Sequence, residues 1–295
     1  MKRFIGHIVL FSVLVLAFFA VGEAYVEHMP NPSRDKHQWM ERHASEVTTL
    51  ILGNSHTFYG IRPDSLPECA FSLAQVSQTY RYDDYLLHHY DMPRLKRVVI
   101  PFSYMSLWED FESQEDKWFN AIRYCLYMDC DIHSRLSRYG WECRAIPSFK
   151  EKLKSLMQPP QLSWDSLGWG TNYVGHRFEQ WDNGRQRVDE NTYQDTAAVA
   201  LNMGYLTRML TWCREQSVCV VLVVPPVSAT YHACKNAFQD SVNKMCINDI
   251  MRRFPEVRYL DLEQDSRFVA DDFYDADHLN VKGAEKLTAI IRTAF

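Results

Sequence analysis

Glycine and proline are scarce in this chain, 11 and 12 of 295 residues, which excludes collagen-like, flexible-linker and proline-rich disordered classes. Net charge is only −5 and no long basic run occurs, so nucleic acid is not expected as a partner. None of the eight cysteines stands in a CxxC spacing, which leaves zinc-ribbon and thioredoxin-like readings without support. Cys125, Cys130 and Cys143 lie close enough in sequence to pair in an oxidising compartment, while scattered buried thiols are the alternative; both stay open. There is no internal repeat and no low-complexity tract. What the chain does have is 46% hydrophobic and 14% aromatic residues, enough for a sizeable core in one large domain or two small ones.

The amino terminus carries a targeting pattern. Met1-Lys2-Arg3 precedes an apolar stretch reaching about Tyr25, broken only by Gly6, His7, Ser12, Gly22 and Glu23. Residues 1–25 therefore read as a signal anchor or a signal peptide, with the body exported across the inner membrane. The densest part, residues 8–21, is shorter than the roughly 20 residues of a comfortable span. Gly22 and Ala24 offer small residues at cleavage positions. The anchor is the preferred reading: a single-pass cell-membrane protein with its main domain in the periplasm or extracytoplasmic space. Residues 26–45, with Pro30, Pro32 and mixed charges, read as a juxtamembrane linker.

Beyond residue 46 the chain alternates short β-rich runs with helical spacing. Residues 47–52, 69–73, 97–101, 218–224 and 257–261 are apolar, β-branched runs of the kind a parallel sheet buries on both faces. Helical periodicity covers residues 75–90, 197–215, 231–254 and 281–294. This order predicts an α/β fold over residues 46–295, a doubly wound, flavodoxin-like, mostly parallel sheet of about five strands. Residues 105–195 break the rhythm and form an aromatic-rich, α-rich insert too long for a plain connection. It holds Trp108, Trp118, Trp141, Trp164, Trp169 and Trp181. These rings either cover the carboxyl edge of the sheet, offering faces to a sugar or an acyl chain, or form the insert's own core.

Chemistry concentrates in two islands. Gly53-Asn54-Ser55-His56 follows the first strand, so Ser55 sits where a buried strand ends and a helix-like stretch begins. Its alternative role there is to cap that helix. Asp275-Ala276-Asp277-His278 places a carboxylate three residues before a histidine, just ahead of the last helix. In a doubly wound fold both fall beyond the carboxyl ends of the strands. A serine hydroxyl becomes a nucleophile when an imidazole takes its proton, and a carboxylate fixes that imidazole's tautomer. Ser55, His278 and Asp275 supply those groups, with Asp272 and Asp277 competing for the carboxylate's place. His56 reads as a structural hydrogen-bonding residue. No second His or Cys at ligand spacing supports a metal beside Asp275–His278, and no cofactor is called for.

The early Gly-x-Ser-His and the late Asp-x-x-His together resemble the SGNH (GDSL-like) hydrolase superfamily. Leu52 to Pro63 is similar to the first block of its membrane-anchored envelope members. The resemblance covers about residues 46–104 and 217–295 and leaves the insert out. It implies Ser55 as nucleophile, His278 as base, Asp275 as its orienting partner, and an oxyanion hole of the Ser55 amide and a second-block amide. Ala74 stands where the family usually has that second-block glycine. The third-block asparagine is absent; Ser103, after Ile100-Pro101-Phe102, is the residue that could donate in its place. The activity implied is serine-dependent hydrolysis of an acyl ester outside the cytoplasm, on a cell-envelope glycan or lipid. O-acyl transfer to an envelope polysaccharide and non-catalytic glycan binding are the alternatives. The partners expected are a small acyl-ester or acylated glycan substrate and the inner membrane.

Overall fold

The apolar runs become five short strands in one sheet: β1 (Thr49–Ile51), β2 (Ala70–Ser72), β3 (Arg97–Pro101), β4 (Cys219–Val224) and β5 (Arg258–Asp261). All neighbours pair in parallel, in the order β2-β1-β3-β4-β5. This is a doubly wound α/β fold. The computed structural model describes residues 2–27, 29–111, 119–130, 154, 157–158 and 163–295. The chain divides into two compact units, Lys36–Asp110 with Ser163–Phe295, and Met1–Asp35 with Phe111–Leu162.

The first unit holds the sheet. Both alternating side-chain sets of its central strands are buried: Ile51, Val99 and Val223 in one set, Leu50, Val98, Ile100 and Leu222 in the other. Strands covered on two faces need that pattern. One layer pairs α3 (Ser55–Gly60) with α10 (Val281–Thr293), and Phe58, Leu287 and Ile291 close a core with Ile51, Val99 and Val223. A second helix pair is α4 (Tyr80–His89) with α7 (Ala197–Glu215), the latter also contacting β4. The remaining helices are α6 (Gly184–Glu190), α8 (Ala229–Cys234) and α9 (Ala237–Arg253).

The other unit holds α1 (Lys2–Glu27) and α5 (Phe119–Tyr127). Lys2–Gly22 of α1 has a mean hydropathy of 2.6 and is long and apolar enough to cross a membrane by length and composition. In α5, Ala121 and Tyr124 are buried.

Three expected boundaries shift, each for a local reason. The helix expected from residue 75 starts at Tyr80, because Gln75 N–H donates to Gly53 O and Ser77 takes a left-handed φ of 56°. Residues 231–254 form two helices, since Asn236 caps the second with its side chain on the amides of Phe238 and Gln239. The stretch read as a linker contains α2 (Pro32–His43), opened by Asn31, whose side chain accepts from Ser33 and Arg34 N–H, and by Pro32 in the first turn. Its Met40 is fully buried.

The turn after β1 depends on Gly53. Its φ is +105°, and a Cβ there would lie 2.1 Å from Pro101 Cγ. Gly53→Ala should therefore lower stability by about 3 kcal/mol or more, combining left-handed strain with overpacking against β3. Chemical denaturation of the two proteins measures it.

Candidate active site

Ser55 is the first residue of α3, and the cap is its neighbour: Asn54 Oδ1 accepts from His56 N–H at 3.1 Å. The capping role open to Ser55 is thus taken by Asn54. Ser55 Oγ is left to meet His278 Nε2 at 2.8 Å, across 223 positions of sequence. Thr57 Oγ1 donates to Leu52 O at 2.7 Å and ties the helix back to the strand end.

His278 is held by a tight loop. Phe273 and Leu279 bridge as antiparallel residues, and Tyr274 N–H donates to His278 O at 2.8 Å. Asp275 Oδ1 accepts from the amides of Asp277 (3.2 Å) and His278 (2.9 Å), and faces His278 Nδ1 at 2.9 Å. Asn280 then caps α10 through the amides of Lys282 and Gly283. Ser55, Asp275 and His278, read from two distant islands, therefore form one hydrogen-bonded chain. Asp272 stands outside it, with Lys286 Nζ on its carboxylate at 2.6 Å.

Asp277 occupies a second tier. Its Oδ1 lies 3.4 Å from His278 Nδ1 and its Oδ2 3.4 Å from His56 Nε2. Arg187 grips both oxygens (2.7 and 3.1 Å), and Asn191 Nδ2 donates to Oδ2 at 3.0 Å. His56 lies flat against His278, centroids 4.8 Å apart at 13°. His56 Nδ1 lies 3.0 Å from Ser103 Oγ and 3.1 Å from Asn54 Oδ1. Sequence reasoning did not find Arg187 or Asn191, because α6 belongs to the insert and reaches Asp277 only through the fold.

Charge follows from these contacts. Burial opposes the His278 cation, but the Asp277 and Asp275 carboxylates outweigh it and lift the imidazole to about 9. Burial also works against ionised Asp277, yet His278, His56 and Arg187 hold it well below the usual carboxylate range. His56 is pushed down, chiefly by burial and secondarily by His278, against the pull of Asp277. Two stacked imidazoles thus divide the roles, one basic and one neutral. His56, Asp277 and His278 have ligand atoms within 4.8 Å of one another. However, Arg187 already neutralises Asp277 and Ser55 engages His278 Nε2, so the group is poorly disposed toward a cation.

Behind the turn, Asp83 Oδ1 accepts from Gly53 N–H at 2.7 Å and from Gln78 Nε2 at 2.6 Å. Burial, against those two bonds, raises the Asp83 carboxyl to about 7. A raised carboxyl favours the folded state while protonated, and that advantage fades as pH climbs from about 4 through 7. Asp83→Asn should match the parent at pH 4.5 and exceed it by about 1–2 kcal/mol at pH 8, which urea melts at the two pH values compare.

The Ser55 and Ala74 amides donate to no group among the described residues, whereas Leu73 and Gln75 amides are taken by Ile51 and Gly53 carbonyls. Lys36, fully buried, donates from Nζ to Ala74 O and lies 4.5 Å from the Phe58 ring centroid. That contact fixes the Ala74 peptide, and nothing in the sequence marks Lys36 for it.

Three of the described tryptophans between residues 105 and 195 pack within the main unit. Trp169 Nε1 donates to Tyr59 O at 2.8 Å, and Trp181 is stacked between His176 and Phe273. Trp108 is fully buried, with Nε1 donating to Asn243. Trp118 and Trp141 lie outside the described residues, as does Cys143; the other seven cysteines are free thiols. At the site itself Tyr173 is stacked between Tyr59 and Tyr274, both at 3.6 Å, with the His278 ring edge-on at 5.6 Å. A surface cleft of about 750 Å³ lined by Asp182, Arg185 and Thr230 among others contains none of the triad.

No family model and no curated protein matches the chain. Solved structures it is similar to include a protein provisionally named a platelet activating factor from Streptococcus pneumonia, with 8% identity over 97% of this chain and 98% of that one, at a TM-score of 0.46. A protein provisionally named an acylhydrolase from Bacteroides fragilis has 10% identity over 87% and 93%, at 0.43. A GDSL-like lipase from Bacteroides thetaiotaomicron has 12% identity over 90% and 98%, also at 0.43.

Proposed function

We propose that this chain is a serine-dependent ester hydrolase of the SGNH type, anchored by α1 and acting outside the cytoplasm on an acyl ester of a cell-envelope glycan or lipid. One observation carries the chemistry: Ser55 Oγ, His278 and Asp275 are joined at 2.8 and 2.9 Å. His278 Nε2 takes the hydroxyl proton as Ser55 Oγ bonds to the carbonyl carbon. The tetrahedral oxyanion is received by the Ser55 and Ala74 amides. Collapse breaks the ester C–O bond, and His278 returns the proton to the departing alcohol. Water, deprotonated by the same imidazole, then releases the acyl group. A glycan hydroxyl taking the place of water would turn the same cycle into O-acyl transfer.

A fluorophosphonate probe tests the nucleophile. Covalent labelling of the full chain in detergent is expected, with none in Ser55→Ala. Labelling that persists in that variant, or fails in the folded parent, overturns the reading.

The sequence reading put Ser103 in the oxyanion hole. In the structure its hydroxyl meets His56 Nδ1 at 3.0 Å, and Asn54 Nδ2 approaches the same oxygen at 3.4 Å, so we read Ser103 as engaged by these two side chains. Ser103→Ala is therefore expected to cost less than about tenfold in kcat, against the 10²–10³ that loss of a true hole donor brings. Steady-state kinetics on a short acyl ester decides it.

A further inference from the structure

We propose that His37, Glu41 and His89 form a site for a divalent transition metal of the Zn2+ type, clipping α2 to the end of α4. His37 and Glu41 stand four residues apart on α2 and so share a face. His89 is the last residue of α4. One ligand atom from each lies within 4.8 Å of the other two. Ligation at about 2.0–2.1 Å brings tetrahedral donors to roughly 3.4 Å apart, and the solvent-exposed Glu41 side chain has room to make that movement.

Each imidazole has a tyrosine hydroxyl beside its Nδ1. His37 Nδ1 lies 2.9 Å from Tyr90 Oη, and His89 Nδ1 lies 3.0 Å from Tyr85 Oη. Tyr85 also stacks on the His89 ring at 5.0 Å. With the imidazole as donor, such a contact fixes the ring plane and makes Nε2 the metal-binding nitrogen in this proposal. Two neutral imidazoles with one carboxylate suit Zn2+, Co2+ or Ni2+; Mg2+ and Ca2+ prefer all-oxygen shells. The buried trio His56, Asp277 and His278 has the same composition, but Arg187 sits on its carboxylate.

The position gives the site a consequence. α2 also carries Lys36, which holds the Ala74 carbonyl, and Trp39, whose ring stacks on Phe71 at 3.8 Å. A metal binding His37 and His89 would fix the helix that supports this loop. The His-x-x-x-Glu spacing in residues 37–41 is visible in the sequence, but its third ligand is 48 residues further on and only the fold brings it near.

The test uses the full-length chain in detergent, stripped with EDTA and dialysed. ZnCl2 is titrated by calorimetry, and Co2+ by its visible absorption, which reports ligand geometry independently of catalysis. One equivalent of Zn2+ is expected at micromolar concentration, with a rise in Tm. Glu41→Gln should weaken binding by about 10–100-fold and His37→Ala/His89→Ala should abolish it, while His56→Ala binds like the parent. Absence of binding by the parent overturns the proposal, as does unchanged binding in Glu41→Gln or loss in His56→Ala. Should the double histidine variant misfold by circular dichroism, Glu41→Gln carries the test alone, since its side chain is exposed.

Discussion

His278→Ala should lower kcat on a short acyl ester by about 10⁴–10⁶-fold, and Ser55→Ala by a similar factor. The size follows from how the groups are joined. Ser55 Oγ lies 2.8 Å from His278 Nε2, and in the proposed reaction the hydroxyl would have to attack while still protonated without that imidazole. Because the two residues act as one unit, Ser55→Ala/His278→Ala should be no worse than either single variant. Additive losses would mean that serine and histidine work in separate steps, and would refute the triad.

The same histidine sets an unusual pH profile. A base must be neutral to act, and the carboxylates around His278 keep it protonated up to about 9. The acid limb of kcat/KM is therefore expected near pH 9, well above the usual histidine value of about 6.5. Stability moves the opposite way. A histidine whose folded pKa exceeds its unfolded one stabilises fully below pH 6.5 and loses that contribution as pH rises through about 9. Activity should therefore increase across the window in which stability declines, and His278→Ala should flatten both curves. An acid limb at 6.5 in the parent would show that Asp277 does not charge the site as its contacts imply.

Part of this was legible in the sequence because the signals are local. β1, β3 and β4 are buried on both alternating sets, the pattern of strands covered on two faces. Ser55 and the Asp275–His278 pair lie at strand and helix ends, where turn chemistry exposes side chains. What stayed hidden is carried by distant partners. Asn54 was passed over beside Ser55, although a cap residue just before a helix is a readable signal. Arg187 and Lys36 are ordinary surface-type residues in sequence; the fold buries Lys36 on the Ala74 carbonyl and draws Arg187 onto Asp277. Asp275 and Asp277 could not be ranked from spacing, since both lie within reach of one ring. Backbone geometry ranks them, by turning Asp275 back onto the His278 amide and ring.

That ranking yields the second large effect. Asp277 is fully buried, and its carboxylate answers Arg187, Asn191 and His56 together. Asp277→Ala removes the buried partner of Arg187, whose side chain is only 16% exposed and keeps the exposed Glu190 alone, so the cost should approach, without exceeding, the about 3–5 kcal/mol of a buried charge left wholly unpaired. Chemical denaturation should show that loss, and Arg187→Met in the same chain should recover much of it, because removing both charges is far cheaper than removing one. The kinetics should move independently of the stability. Among the groups that raise His278 against its burial, Asp277 contributes most, so Asp277→Ala should bring the acid limb down from about 9 toward the ordinary value and leave turnover on the alkaline plateau within about tenfold of the parent. Asp275→Ala does the reverse: it removes the 2.9 Å acceptor at Nδ1 and the anchor of the His278 amide, and kcat falls by about 10²–10⁴ at every pH. If Asp277→Ala loses turnover as deeply on the plateau and Asp275→Ala does not, the two carboxylates have exchanged the roles their distances assign them.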